Sequence, residues 1–172
     1  PGIADAIVDW IDPDLAPLLP DGAEDDWYQR LAVPYRAANR PLASVRELRL
    51  VRGVTPAVYA ALAPHVSALP ANAMLDVSAA GPLLMRALDQ RIDAALADRL
   101  VAGAPYADPE AFATQPALRN VGRIIDVVVT SNYFDVRAHA RVDAAEVTLT
   151  SRLRVLDRDA EVVSRMLGDG DG

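Results

Sequence analysis

Tyr133-Phe134-Asp135-Val136-Arg137-Ala138-His139-Ala140-Arg141-Val142 alternates without a break. Phe134, Val136, Ala138, Ala140 and Val142 share one parity, and Tyr133, Asp135, Arg137, His139 and Arg141 the other. Successive side chains of a strand point to opposite faces, so this period of two predicts a strand with one apolar and one wet face. Glu146 to Val155 repeats the pattern, with Val147, Leu149, Leu153 and Val155 against Glu146, Thr148, Thr150, Arg152 and Arg154. Asp143-Ala144-Ala145 can turn between the two runs, and Asp157-Arg158-Asp159 can turn into a third strand over Val162 to Leu167. The expectation is an antiparallel meander of half-buried strands. Three strands with one apolar face need a cover, and an N-terminal helix is the natural candidate.

Upstream the period changes to 3.6. Ile3, Ile7, Val8 and Ile11 fall on one helical face, and Asp12-Pro13-Asp14 stops that helix because proline disfavours the helical region for the residue before it. Residues 12–23 carry Pro13, Pro17, Pro20 and Gly22 and read as an irregular loop, followed by a short helix from Glu24 to Leu31. Ser44 with Glu47 forms a capping box, Gly53 ends that helix, and Thr55-Pro56 opens the next. Gly81-Pro82 starts what reads as one long helix, with Leu84, Leu88, Ile92, Leu96 and Leu100 recurring through Val101. Asp108-Pro109-Glu110 marks one more helix start, and the tail Gly168 to Gly172 is expected to be disordered. Helices first and strands later, without alternation, argue an α+β fold. The expected organisation is a helix end and acidic loop over 1–30, an inserted helical domain over 31–118, and an antiparallel sheet over 119–172.

Composition removes several functions. The 172 residues contain no cysteine, which excludes disulfides, thiolate metal sites and a cysteine nucleophile. No apolar run approaches the ~18 residues that span a bilayer, and no signal-peptide pattern opens the chain. Every base is arginine. Residues 1–30 hold eight acids (Asp5, Asp9, Asp12, Asp14, Asp21, Glu24, Asp25, Asp26) against Arg30, a net of −7, and the remaining residues balance. Binding a polyanion needs a surplus of bases on one face, which this chain lacks.

The acidic arm is the strongest chemical signal. Asp12, Asp14, Glu24, Asp25 and Asp26 flank a Pro/Gly loop able to bring them together. Two carboxylates at ~4 Å repel by about 1 kcal/mol even in water. Calcium takes 6–8 oxygens and tolerates irregular loops, so the arm reads either as a calcium site outside the EF-hand pattern or as a solvated acidic surface. Ser44 to Pro56 has the look of a helix-hairpin-helix, with Arg46, Arg49 and Arg52 at spacing three, and reads as a nucleic-acid hairpin or as a packing unit. Catalytic signals are thin: His65 and His139 stand apart, and no metalloprotease, P-loop, dinucleotide or nucleophile-elbow motif occurs. A hydrolase drawing on the acidic arm is the remaining enzymatic alternative. Trp10, Trp27, Tyr28 and Tyr35 read as core in preference to a sugar-stacking platform.

An ordered series then becomes recognisable: Asp9-Trp10-Ile11-Asp12-Pro13-Asp14, Gly22-Ala23-Glu24-Asp25-Asp26-Trp27-Tyr28, Pro34-Tyr35-Arg36-Ala37-Ala38-Asn39-Arg40-Pro41-Leu42 and Glu47 to Val54. It resembles the K-type minor pseudopilin of bacterial type II secretion systems. The likeness continues through Leu75 to Ala80, where Asp76 and Ser78 stand in place of the family's more frequent Asn and Thr, and ends at Ser131-Asn132-Tyr133-Phe134. The resemblance implies a pilin-like body carrying a large inserted helical domain of helix-hairpin-helix or SAM-like type. It implies a periplasmic, non-enzymatic subunit held in the inner membrane by an N-terminal helix that this chain lacks. It further implies a place at the pseudopilus tip with the I- and J-type minor pseudopilins, where assembly for export of folded proteins begins or is capped. The major pseudopilin and exoproteins are further candidate partners; nucleic acid is not. Carried over by position, calcium would be bound by Asp12, Asp14, Glu24, Asp25 and Asp26, with Asp9 and Asn39 as additions.

Overall fold

The computed structural model describes residues 2–70, 72–122, 124 and 126–168. The chain forms two compact units, residues up to 70 in one and 72–167 in the other. The sequence reading set its boundaries at 30/31 and 118/119; contacts divide the chain at 71/72.

In the first unit, α1 (Gly2–Ile11) buries Ala6, Asp9 and Trp10, while Val8, expected inward, is 43% exposed. The irregular loop follows as anticipated, then a single turn α2 (Asp25–Tyr28). The capping box forms, with Glu47 Oε1 accepting from the Ser44 amide at 3.2 Å. The segment it opens, Val45–Leu50, is wound as a tight 3₁₀ helix. Val51 is already extended and Gly53 turns to φ +81°, so the segment stops after six residues. Thr55 then caps α3 (Pro56–Leu62) by accepting from the Val58 amide. Val45, Leu48, Val51 and Tyr59 close on Ala6, Trp10, Ala23 and Tyr28 as one core. The aromatics are packing groups. Trp10 and Trp27 meet Tyr28 edge-on at 5.1 and 5.0 Å, and Tyr35 stacks on it at 5.3 Å. Such pairs add about 0.5–1.5 kcal/mol each beyond the burial itself.

The second unit opens with β1 (Leu75–Asp76), which pairs in parallel with β2 (Val127–Val128). Between them lie α4 (Pro82–Leu88), α5 (Ala94–Ala102) and α6 (Pro109–Ala113). The single helix expected from 82 to 101 is therefore two. Asp89 takes extended geometry and its carboxylate accepts from the Arg91 amide at 2.8 Å, after which Asp93 caps α5 by accepting from the Leu96 amide at 2.8 Å. Short acidic side chains offer the backbone these local bonds in competition with the helix. Ile92, Leu96 and Leu100 still reach the core, beside Val77, Met85, Ala97, Tyr106, Phe112 and Leu118. Asp76 ties the unit together: it accepts from the amides of Ser78 and Ala79, and from the amide of Ser131, 55 residues away.

The meander is present as β3 (Tyr133–Val142), β4 (Ala145–Leu156) and β5 (Asp159–Leu167), in order β3-β4-β5 and antiparallel throughout. Tyr133 faces Arg154 and Val142 faces Ala145, so the turn is two residues and Ala145 belongs to the strand. Asp143 and Asp157 take φ of 53° and 51°, the left-handed geometry of tight hairpins. The third strand starts at Asp159, three residues before its expected start. The alternation holds but its burial does not: Phe134, Val136 and Val142 are 49%, 47% and 71% exposed. Three strands alone have nothing to lay on their own apolar face. The tail beyond Gly168, expected to be disordered, lies outside the described residues. Among the described residues, no helix is long and apolar enough to cross a membrane.

Candidate metal centre

The last turn of α1 and the loop after it place the acids. Asp9 is fully buried, and its two carboxylate oxygens accept from the Leu18 amide at 3.2 Å each. That bond folds the loop back over the helix end. Gly22 seals the fold: its amide donates to the Leu18 carbonyl at 2.6 Å, and a Cβ there would collide with the Asp9 carboxylate and the Leu18 backbone. Arg52 donates to the Gly22 carbonyl at 2.9 Å, bracing the loop from the hairpin.

This geometry brings Asp12, Asp14 and Glu24 together, with one carboxylate oxygen from each inside a 4.8 Å cluster. Glu24 is only 4% exposed, and both its oxygens are buried without a partner. Burial, reinforced by the charges of Asp9, Asp12, Asp14 and Asp25, raises its pKa to about 7. Asp12 Oδ1 and the amide oxygen Asn39 Oδ1 are likewise buried and unpartnered. Asn39 is fixed by its own amide on the Trp10 carbonyl and by Nδ2 on the Asp14 carbonyl, both at 3.0 Å. Asp25 and Asp26 are outside the close cluster. Asp25 Oδ1 accepts from the Ala37 amide at 3.0 Å, its other oxygen lies 3.6 Å from Arg36, and Asp26 is exposed. The centre is thus all oxygen, with three carboxylates, and several of those oxygens are shut away from water. That donor set fits a hard divalent cation of calcium type.

The sequence marked the acids by density, and the family resemblance added Asn39. It did not single out Gly22 or Arg52 as supports of the loop. Two of the three hairpin arginines are engaged within the fold: Arg49 lies over the Tyr59 ring at 4.1 Å and Arg52 over Trp27 at 5.6 Å, while Arg46 is exposed. His65 and His139 are exposed, and neither belongs to the acidic cluster.

Residues 1–71 match the family model for type II secretion system protein K, first domain. Protein K of Aeromonas hydrophila is 36% identical over 160 residues, covering 87% of this chain and 48% of the relative. Protein K of Pectobacterium carotovorum is 33% identical, covering 96% of this chain and 54% of the relative. The structure superposes with a TM-score of 0.84 and 28% identity on a chain of the GspK-GspI-GspJ complex from the enterotoxigenic Escherichia coli type 2 secretion system. That match covers 98% of this chain and 63% of the other. These likenesses define a class, the components of bacterial type II secretion systems. Within it, the chain belongs to the protein K family, the K-type minor pseudopilins. It spans about half the length of the curated relatives it matches.

Proposed function

We propose that this chain serves as an assembly subunit at the tip of the type II secretion pseudopilus, binding I- and J-type minor pseudopilins and helping to initiate or cap the filament. The observation that carries this reading is the fold match over 98% of the chain to a protein found in a GspK-GspI-GspJ complex. Heterologous stacking of like subunits makes an open filament, and a terminal subunit of different shape ends it. In this reading the β-meander belongs to a pilin-like body whose apolar face is covered by an N-terminal helix, and the residues between that helix and the sheet form the inserted helical domain. The protein works on the periplasmic side, anchored in the inner membrane by the same helix. Its contribution is contact and contour; no residue is assigned a catalytic role. A nucleic-acid hairpin is disfavoured because Arg49 and Arg52 are occupied within the fold.

Calcium is the proposed ion, held by Asp12, Asp14 and Glu24 with the amide oxygen of Asn39. When bound, it supplies positive charge that offsets the mutual repulsion of the three carboxylates. Asp9, Gly22 and Arg52 hold the loop in place so that Glu24 presents its oxygens inward. The test of the assembly reading is size-exclusion chromatography of this chain mixed with soluble I- and J-type partners. A single ternary peak is expected; separate elution at tens of micromolar would overturn the reading.

A further inference from the structure

β4 carries two arginines on its polar face, two residues apart, that the sheet register treats differently. Arg152 stands opposite Asp135 of β3 and closes a forked pair with it, Nε to Oδ1 and Nη2 to Oδ2, each at 2.8 Å. Arg154 stands opposite Tyr133, where no carboxylate is offered. On its other side Glu161 of β5 is the register partner, yet no ion pair forms between them among the described residues. Arg154 is one of the residues lining a pocket of about 250 Å³, which Glu161 does not line. Its Nε is buried and has no hydrogen-bond partner. A charge-bearing donor taken from water seeks an anion.

We propose that this pocket is a carboxylate-binding site, in which Arg154 grips one carboxylate with the fork that Arg152 uses on Asp135. A single guanidinium suits a single negative charge, and a planar one suits a planar carboxylate. Asn72, Thr130 and Asn132 add neutral hydrogen-bonding groups to the wall. Met74 and Val128 add apolar surface that suits a short carbon stem. The ligand class is a carboxylate on a short aliphatic stem, a chemistry that acetate shares with the side chains of aspartate and glutamate.

The test follows the arginine Nε–H resonances of the ¹⁵N-labelled chain at constant ionic strength, while chloride is exchanged for acetate, phosphate or N-acetylglutamate amide. The Arg154 resonance should move and saturate with acetate, while that of exposed Arg137 stays in place. Glu161→Gln removes the neighbouring carboxylate and should lower the half-saturating acetate concentration at least ~2-fold. Arg154→Lys keeps the charge without the fork and should weaken binding about tenfold. Saturation by the capped glutamate assigns the site to a protein-borne carboxylate; saturation by acetate alone assigns it to a free small acid. An Arg154 resonance that moves no more than Arg137, or that phosphate saturates at lower concentration than acetate, overturns the proposal.

Discussion

Glu24 in the first unit is 4% exposed with both carboxylate oxygens unpartnered, whereas Phe134 and Val142 in the second are apolar and 49% and 71% exposed. Each region departs from the usual rule that charge faces water and carbon faces carbon, in opposite directions. A buried unpaired carboxylate costs several kcal/mol, so it is answered by something small, charged and able to enter a loop. An exposed apolar row costs little in place and is answered by something large, an element or a partner surface. The first region is therefore expected to respond to ions and pH, the second to association.

Four measurements break or sharpen that contrast. Calcium at a thousand times its dissociation constant should stabilise the folded chain by about 4 kcal/mol over the same protein in chelator. Identical melting curves in the two buffers would remove the ion from the account. Gly22→Ala should cost about 2–3 kcal/mol in urea denaturation, because a methyl there meets backbone and the Asp9 carboxylate. A loss below ~0.5 kcal/mol would show that the loop is not closed as described.

The third concerns pH in chelator. Glu24 has a folded pKa of about 7 against 4.5 ordinarily, so the folded state holds the proton more tightly. Its contribution is fully present below pH 4.5 and is lost as pH rises through 7. Relative to wild type, Glu24→Gln should thus gain about 1–3 kcal/mol at pH 8 without calcium, and lose the response to calcium. A destabilised, calcium-responsive variant would count against both roles given to this side chain. The smallest effect belongs to the meander: Phe134→Ser with Val136→Ser should lower the stability of the isolated chain by about 1–2 kcal/mol, since each side chain is only half-buried. The same pair should weaken assembly with the I- and J-type partners if a complete pilin-like body is needed for docking.

Much of this was legible where one residue type has one local use. The capping box at Ser44 and Glu47, the caps at Thr55 and Asp108, and the pleat of β3 and β4 each follow from neighbours a few residues apart. The break at Asp89 was hidden because Leu88, Ile92, Leu96 and Leu100 keep a four-residue spacing whether or not the backbone is continuous. The pairing of Leu75 with Val127 leaves no local mark at all. At the metal centre, charge density named the acids, but only the folded chain separates Asp12, Asp14 and Glu24 from Asp9, bound to an amide, and from Asp25, beside Arg36.

The parallel contact of β1 with β2, locked by Asp76 on Ser131, means that the chain departs on its helical excursion and comes back beside its own starting point. A segment anchored in that way behaves as a cassette. Because its two ends are held side by side, a change of length in one of its surface turns is expected to leave the register of the following strands in place.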